Sequence, residues 1–584
     1  MSHHRHPAKI TPTPLFSQKI YVDSKFASKL SLKRHIKYPS SLKISFLYLN
    51  KQDADLLKNL ENPLMKLLKQ SKSTQKIHLQ ECKIAEVIHP NHLLQLIKLS
   101  QKILSLSVPC YFLNKEQSNA TLQWLKRTPK LKQFHSILEL YQILQGVSPF
   151  DFFKQPTPHQ KIFKEIQRKR LESIEMTPYV GIENLSFFKK LTAIRKISFR
   201  DPMRYAKISG VYIDNSLLVE NLFANMAQLQ VLEFLVPVGL RSIYSILDSI
   251  PNPEQIKTLG FEISDFVAQS YETHFLITLA LNDFRSLQSF NLTCYTEILS
   301  LAVLENLSEF PFLQELSLTL SLKASHFQVL GNILRKLFAL KTLDLELRAM
   351  QEGGDLICLV QSLRFLTQLQ KLNLAISQGY KKNDDNSTYI DQVVSSFSKS
   401  LENFTLLKKL KFNFPFGNYT EELSDLTNVL KNKLHGLERL ELYFGRKEIK
   451  PKDLQQFVHS LEKLKNLEIL TLRELNINEP NILVRMARIL SRAKNLIKVD
   501  LDGMKITTPP DILVEMMEII LAKKGLEYFR IQSFYSKMTE ENPKKLVDIK
   551  SILERNPNLK FPVVTTDRQE LIQGLQNFQI YKWS

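Results

Sequence analysis

Between Leu437 and Ile506 the apolar positions follow one pattern written three times. It reads Leu437, Leu440, Leu442; then Leu467, Leu470, Leu472, Leu475, Ile477; then Leu496, Val499, Leu501, Met504, Ile506. The first leucines of the three copies stand 30 and 29 residues apart. Within each copy, apolar and polar residues alternate, so one side of an extended segment is buried and the other is free. Between copies the period changes. Leu454, Phe457, Leu461 and Leu464 recur at three- and four-residue steps, as do Ile482, Leu483, Met486, Ile489 and Leu490, which predicts a helix after each strand. Pro451 and Asp453 suit a helix entry, and Gly525 is expected to close the last helix as a C-cap.

The same strand core recurs along most of the chain. It is expected at Ile44–Phe46, Ile77–Leu79, Leu106–Val108, Phe134–Ser136, Ile174–Met176, Ile197–Phe199, Leu232–Phe234, Leu259–Phe261 and Phe290–Leu292. It continues at Leu316–Leu318, Leu343–Leu345, Leu372–Leu374 and Leu410–Phe412, and after the triplet at Phe529–Ile531, with a degenerate last unit at Leu559 and Phe561. That makes about 17 units, most of them between 26 and 35 residues long.

A fixed period of this length with L-x-x-L-x-L resembles the leucine-rich repeat superfamily, and within it the ribonuclease-inhibitor-like class with helices on the convex face. The resemblance is strongest over 310–535. It implies an α/β solenoid, a horseshoe whose curved parallel sheet lines the concave side. This chain departs from the pattern where Phe199, Phe234, Phe261 and Phe412 replace the third leucine. Leu475 and Met504 stand where the family places Asn or Cys, a position that Cys82 fills. The expected layout is a basic arm or cap at 1–40 and degenerate basic repeats at 41–170 with an insertion near 146–170. A regular solenoid follows over 171–535, with a polar loop at 377–391, and a last repeat and cap occupy 536–584.

Family resemblance implies that a protein partner binds on the concave face. Alternation assigns to that face Asp344, Glu346, Lys371, Lys409, Lys411, Arg439, Glu441, Tyr443, Arg473, Lys498, Asp500 and Tyr528. The superfamily also holds regulators of small GTPases of RanGAP type, and nothing in the motifs selects for or against that role.

Charge adds a second candidate. The chain carries a formal +21, and residues 1–170 hold 29 Lys and Arg against 10 Asp and Glu. Lys161, Lys164, Arg168, Lys169 and Arg170 form the densest basic stretch, opposite Ile162, Phe163 and Ile166 on a helical projection. Such a stretch suits an acidic surface: nucleic acid, the acidic tails of tubulin or anionic lipid. No recognised nucleic-acid module accompanies it.

Enzyme motifs are missing. The chain lacks G-x-x-x-x-G-K-[ST], H-E-x-x-H, G-x-S-x-G and the kinase signatures, so no catalytic residue, metal set or cofactor is expected. Four scattered cysteines do not make a disulfide framework, and no apolar run reaches the ~18 residues of a membrane span. The opening MSHHRHPAKITPTPLF has no apolar core of a secretion signal, which points to a reduced, cytoplasmic setting with cytoskeletal or nuclear association open.

Overall fold

The computed structural model describes residues 17–22, 41–46, 76–80, 105–110, 126, 132–138, 171–176, 192–200, 223–238, 240–263, 277–294, 303–304, 306–349, 356–378, 387–413, 423–444, 449–477, 479–506, 510–533 and 561–565. The chain divides into two compact units, 1–262 and 263–584.

The first unit contains β1 (Ser17–Val22), β2 (Ser41–Phe46), β3 (Lys76–Gln80), β4 (Ser105–Cys110), β5 (Gln133–Leu138), β6 (Ser173–Met176), β7 (Lys196–Arg200) and β8 (Val231–Val238). Each pairs in parallel with the next. Helix α1 (Leu240–Asp248) follows β8, and the division falls inside β9 (Thr258–Ile263).

The second unit contains β10 (Ser289–Cys294), β11 (Glu315–Leu322), β12 (Thr342–Ala349), β13 (Lys371–Gln378), β14 (Lys409–Asn413), β15 (Arg439–Tyr443) and β16 (Ile469–Arg473). Beyond these come β17 (Asn476–Ile477), β18 (Lys498–Ile506), β19 (Tyr528–Ser533) and β20 (Phe561–Thr565). The sheet runs parallel from β10 through β16, β18, β19 and β20. Short β17 pairs separately with the end of β18, after Glu474 has turned the chain at φ 52. Helices return the chain between strands: α2 (Ala324–Leu334), α3 (Leu356–Ser362), α4 (Ser387–Leu401), α5 (Leu423–Asn432), α6 (Pro451–Leu461), α7 (Pro480–Arg492) and α8 (Pro510–Leu521). Strand, helix and parallel strand at a leucine-rich spacing define an α/β leucine-rich repeat solenoid.

The alternation in sequence becomes the core directly. Leu410, Leu440, Leu470 and Val499 are ladder neighbours, each at most 1% exposed. Helices α6 and α7 close over them with Leu454, Phe457 and Leu461, and with Leu483, Met486 and Leu490. Each fully buried leucine is worth ~1.5–3 kcal/mol. In the first unit phenylalanine replaces leucine: Phe234 stacks on Phe199 at 4.7 Å between centroids and lies parallel to Phe261 at 6.0 Å. Flat rings one strand apart fill the same column that leucines fill elsewhere.

Two backbone features set the repeat independently of side chains. Before many of the described strands a turn closes, as in Leu340 N–H donating to the Leu337 carbonyl and Leu467 N–H to that of Leu464. Next, one carbonyl accepts two N–H groups from the following repeat. Lys341 O takes Gln370 at 2.8 Å and Lys371 at 3.0 Å, and Gln370 O takes Lys408 and Lys409 at the same distances. Side chains at this position also pair, Lys408 with Glu438 at 2.9 Å and Lys132 with Glu172 at 2.7 Å. That hydrogen bond from Lys132 holds the Glu172 carboxyl below the usual glutamate range.

Several details differ from the expected layout. The stretch 1–40 contains β1, paired with β2. Register across β2 and β3 aligns Leu42 with Ile77 and Ile44 with Leu79, so the β2 core sits two residues earlier than Ile44–Phe46. In the last unit Pro562 and Val564 oppose Phe529 and Ile531, whereas Phe561 opposes Tyr528 on the other face. Gly525 is not a helix cap: α8 ends at Leu521, and Gly525 takes φ 93 in the turn before β19. Of the polar stretch 377–391, residues 377–378 finish β13 and 387–391 begin α4. Cys82 and the insertion at 146–170 lie outside the described residues.

Candidate functional site

Residues facing away from the helix layer form three columns on β11 to β19. The first runs Thr342, Lys371, Lys409, Arg439, Ile469, Lys498, Tyr528. A second runs Asp344, Asn373, Lys411, Glu441, Thr471, Asp500, Arg530, and a third begins Glu346, Ala375, Asn413, Tyr443, Arg473. All twelve residues expected on a binding face stand in these columns. Neighbours within a column are ~4.8 Å apart, close enough for charges to act on each other.

The columns are electrostatically uneven. Toward the amino end Asn373 donates its side-chain amide to Asp344 at 2.6 Å, while Glu346 stays exposed near Arg348 at 4.0 Å. Three cations then follow in register, Lys371, Lys409 and Arg439, with Lys411 beside them. Arg439 pairs with Glu441 on its own strand. Among the described residues Lys371, Lys409 and Lys411 have no ion-pair partner. Tyr443 is half-buried and Arg473 exposed.

At the carboxyl end one carboxylate stands between two cations. Lys498 lies 4.3 Å over the Tyr528 ring and 3.8 Å from Asp500, which Arg530 approaches at 3.9 Å. Asp500, in its expected column, is 4% exposed and so does not offer its carboxylate to solvent. Two cations beside it offset its burial.

Lys161, Lys164, Arg168, Lys169 and Arg170 lie outside the described residues. Cys294 is buried and Cys358 half-buried, both as free thiols. No helix among the described residues is long and apolar enough to cross a membrane.

A feature the sequence reading passed over lies at the turns before the strands. Phe312 and Phe338 are 60% and 68% exposed, Leu406 is 45% and Phe365 41%. Arg364 and Arg335 hold their guanidinium carbons 4.9 and 5.6 Å from the Phe365 ring centre. Their signal in the sequence is position: Phe312 and Leu406 come just before the first leucine of a repeat, and Phe338 two before it, where the turn points side chains outward.

The class is that of a leucine-rich repeat solenoid with a polar sheet face and a partly apolar row of turns. No family model matches the chain, and no curated protein does. Among solved structures, it is similar to a chain of the TLR13–ssRNA13 complex, with 15% identity over 90% of this chain and a TM-score of 0.32. The match spans 63% of that chain's length. It is also similar to a chain of the Rad7 and Elc1 complex in yeast, with 14% identity over 78% of this chain and 90% of that one, at a TM-score of 0.35.

Proposed function

We propose that this protein is a non-enzymatic scaffold that binds a protein partner across the helix-free sheet face of β12 to β19. The observation that carries this reading is the column Lys371, Lys409, Arg439. Like charges directly opposite on neighbouring strands destabilise a sheet, and here three occur in register with Lys411 alongside. A face with only a structural role gains nothing from that arrangement. A partner carrying carboxylates opposite the column offsets the repulsion on binding, while Tyr443 supplies an amphipathic contact of the kind enriched at interfaces. A helix in each crossover from β11 to β19 supports placing the repeats in the ribonuclease-inhibitor-like class.

Co-purification from the native source, read by mass spectrometry, tests this. Wild type is compared with the triple variant Arg439→Ala, Tyr443→Ala, Arg473→Ala. A discrete partner retained by wild type and lost by the variant is expected. Equal retention by both proteins, with equal melting temperatures, sinks the proposal.

A further inference from the structure

The row of turns before the strands is used in two ways along the second unit. Toward the carboxyl end its residues tie repeats together: Asn466 donates to the His435 carbonyl at 3.1 Å, Asn495 to that of Lys465 at 3.2 Å, and Lys523 to that of Lys494 at 3.3 Å. The turns before β11 and β14 hold Phe312 and Leu406 where Asn466 and Asn495 stand in theirs, and the turn before β12 holds Phe338 one residue earlier. Phe312, Phe338 and Leu406 are 60%, 68% and 45% exposed. The carbonyl ladder Gln314, Lys341, Gln370, Lys408 holds these turns side by side. Three large apolar side chains this exposed along one row of turns suit an interaction surface.

The middle of this row is cationic. Arg335 and Arg364 both lie over Phe365, and Lys336 is exposed in the same turn as Phe338. Among the described residues of these turns the acidic ones are Glu309 and Glu402, at the two ends of the row. A guanidinium held over a ring keeps its remaining N–H groups directed outward for carboxylates. Apolar anchors one and two repeats apart, with cations between them, match an extended segment in which aromatic or aliphatic residues are interspersed with acidic ones.

We propose that the turns before β11 to β14 form a second docking surface, separate from the sheet face, for an acidic peptide segment of a partner protein with aromatic or aliphatic anchors. Phe312, Phe338 and Leu406 take the anchors. Arg364 and Lys336 pair with the carboxylates, and Arg335, tied to Ser362 at 3.1 Å, holds Phe365 in place.

Fluorescence anisotropy on the full chain tests this with three labelled synthetic peptides. One alternates Asp or Glu with Phe or Leu, one replaces the acids by Lys, and one replaces the anchors by Ala. The first is expected to bind at least tenfold more tightly than the other two and to weaken as salt rises. Phe312→Ser/Phe338→Ser and Arg364→Glu are each expected to weaken it tenfold or more without moving the melting temperature, because these side chains are solvent-exposed. The Arg439, Tyr443, Arg473 triple variant is expected to bind the peptide as wild type does, so the two surfaces stand or fall separately. Equal binding of acidic and basic peptides, no binding, or indifference to the phenylalanine pair overturns the proposal. So does concentration-dependent dimerisation abolished by that pair, which assigns the surface to a second copy. Sedimentation with phosphatidylserine vesicles abolished by the same pair assigns it to a membrane and likewise overturns it.

Discussion

The side-chain amide of Asn373 reaches across one strand spacing to donate to Asp344 at 2.6 Å, on the face opposite the helices. Replacing Asn373 by Asp sets two carboxylates in register where a donor and an acceptor stood. The variant is expected to lose about 1–2 kcal/mol at pH 7. Repulsion raises the folded-state pKa of one carboxyl above its unfolded value. The deficit is therefore full above that raised value and shrinks as pH falls through it. Urea unfolding at pH 7 and pH 4 checks this, and a deficit equal at both values contradicts it.

Gly331 of α2 packs against α3. A Cβ added there would lie 2.8 Å from Ser362 Oγ, 3.2 Å from the Cys358 carbonyl oxygen and 3.3 Å from Leu359 Cα. Two of these three are backbone atoms, and the hydroxyl is held by its bonds with Arg335 and the Cys358 carbonyl. Gly331→Ala gains about 1 kcal/mol of helix propensity but incurs overpacking of about 1–3 kcal/mol. A net fall in melting temperature is expected, and Gly331→Ala with Ser362→Ala is expected to lose less than the sum of the single changes. A rise in melting temperature for Gly331→Ala would show that the helices separate freely.

Phe234 stands at the centre of the aromatic column of the first unit, with Phe223 edge-on at 6.2 Å. Phe234→Ala is expected to cost ~3–5 kcal/mol and Phe234→Leu under ~1.5 kcal/mol, since leucine fills the same column in other repeats. Thermal melting compares the two. Equal losses would mean that ring stacking, rather than volume, holds the column.

Lys523 is 8% exposed, and burial pushes its ammonium below the usual lysine range. Its charged form is penalised in the fold, so the penalty is complete below the depressed folded pKa. It fades as pH rises from there toward the ordinary value of 10.5. Lys523→Met removes the penalty along with the bond to the Lys494 carbonyl. Its stability relative to wild type is expected to be greatest near pH 7 and to decline toward pH 10, by urea unfolding. A difference that does not vary with pH rules out the ammonium as its source.

Strand cores were legible because two periods agree: alternation inside each strand and a near-constant step between strands. Where a terminal repeat breaks alternation, legibility fails. Gln18 and Pro562 occupy apolar ladder positions, so alternation hides β1 within a polar arm and sets the last strand out of register. Gly525 looked like a helix cap because a glycine after a helix usually is one; only the end of α8 at Leu521 shows the extra turn between them. Alternation also placed the sheet-face residues, but it cannot tell Lys411, exposed, from Asp500, buried under two cations. That difference depends on which residues become ladder neighbours. Exposed phenylalanines at the turns were hidden by composition, since Phe312 and Phe310 look alike in the sequence. Phe310 is 1% exposed, and only the turn that bonds Phe310 to Leu313 sends Phe312 outward.

In the repeats from Gln288 to Tyr528 one carbonyl holds two N–H groups of the next repeat, and any residue except proline supplies those groups. The joint between repeats is therefore blind to side-chain identity. Residues at this junction range from Gln314 and Lys341 to Glu438 and Glu468 without loss of register. Such a chain can drift far in sequence while its stacking stays intact, and long drift erases resemblance to relatives before it erases architecture. It also leaves the surface free to be rewritten one repeat at a time.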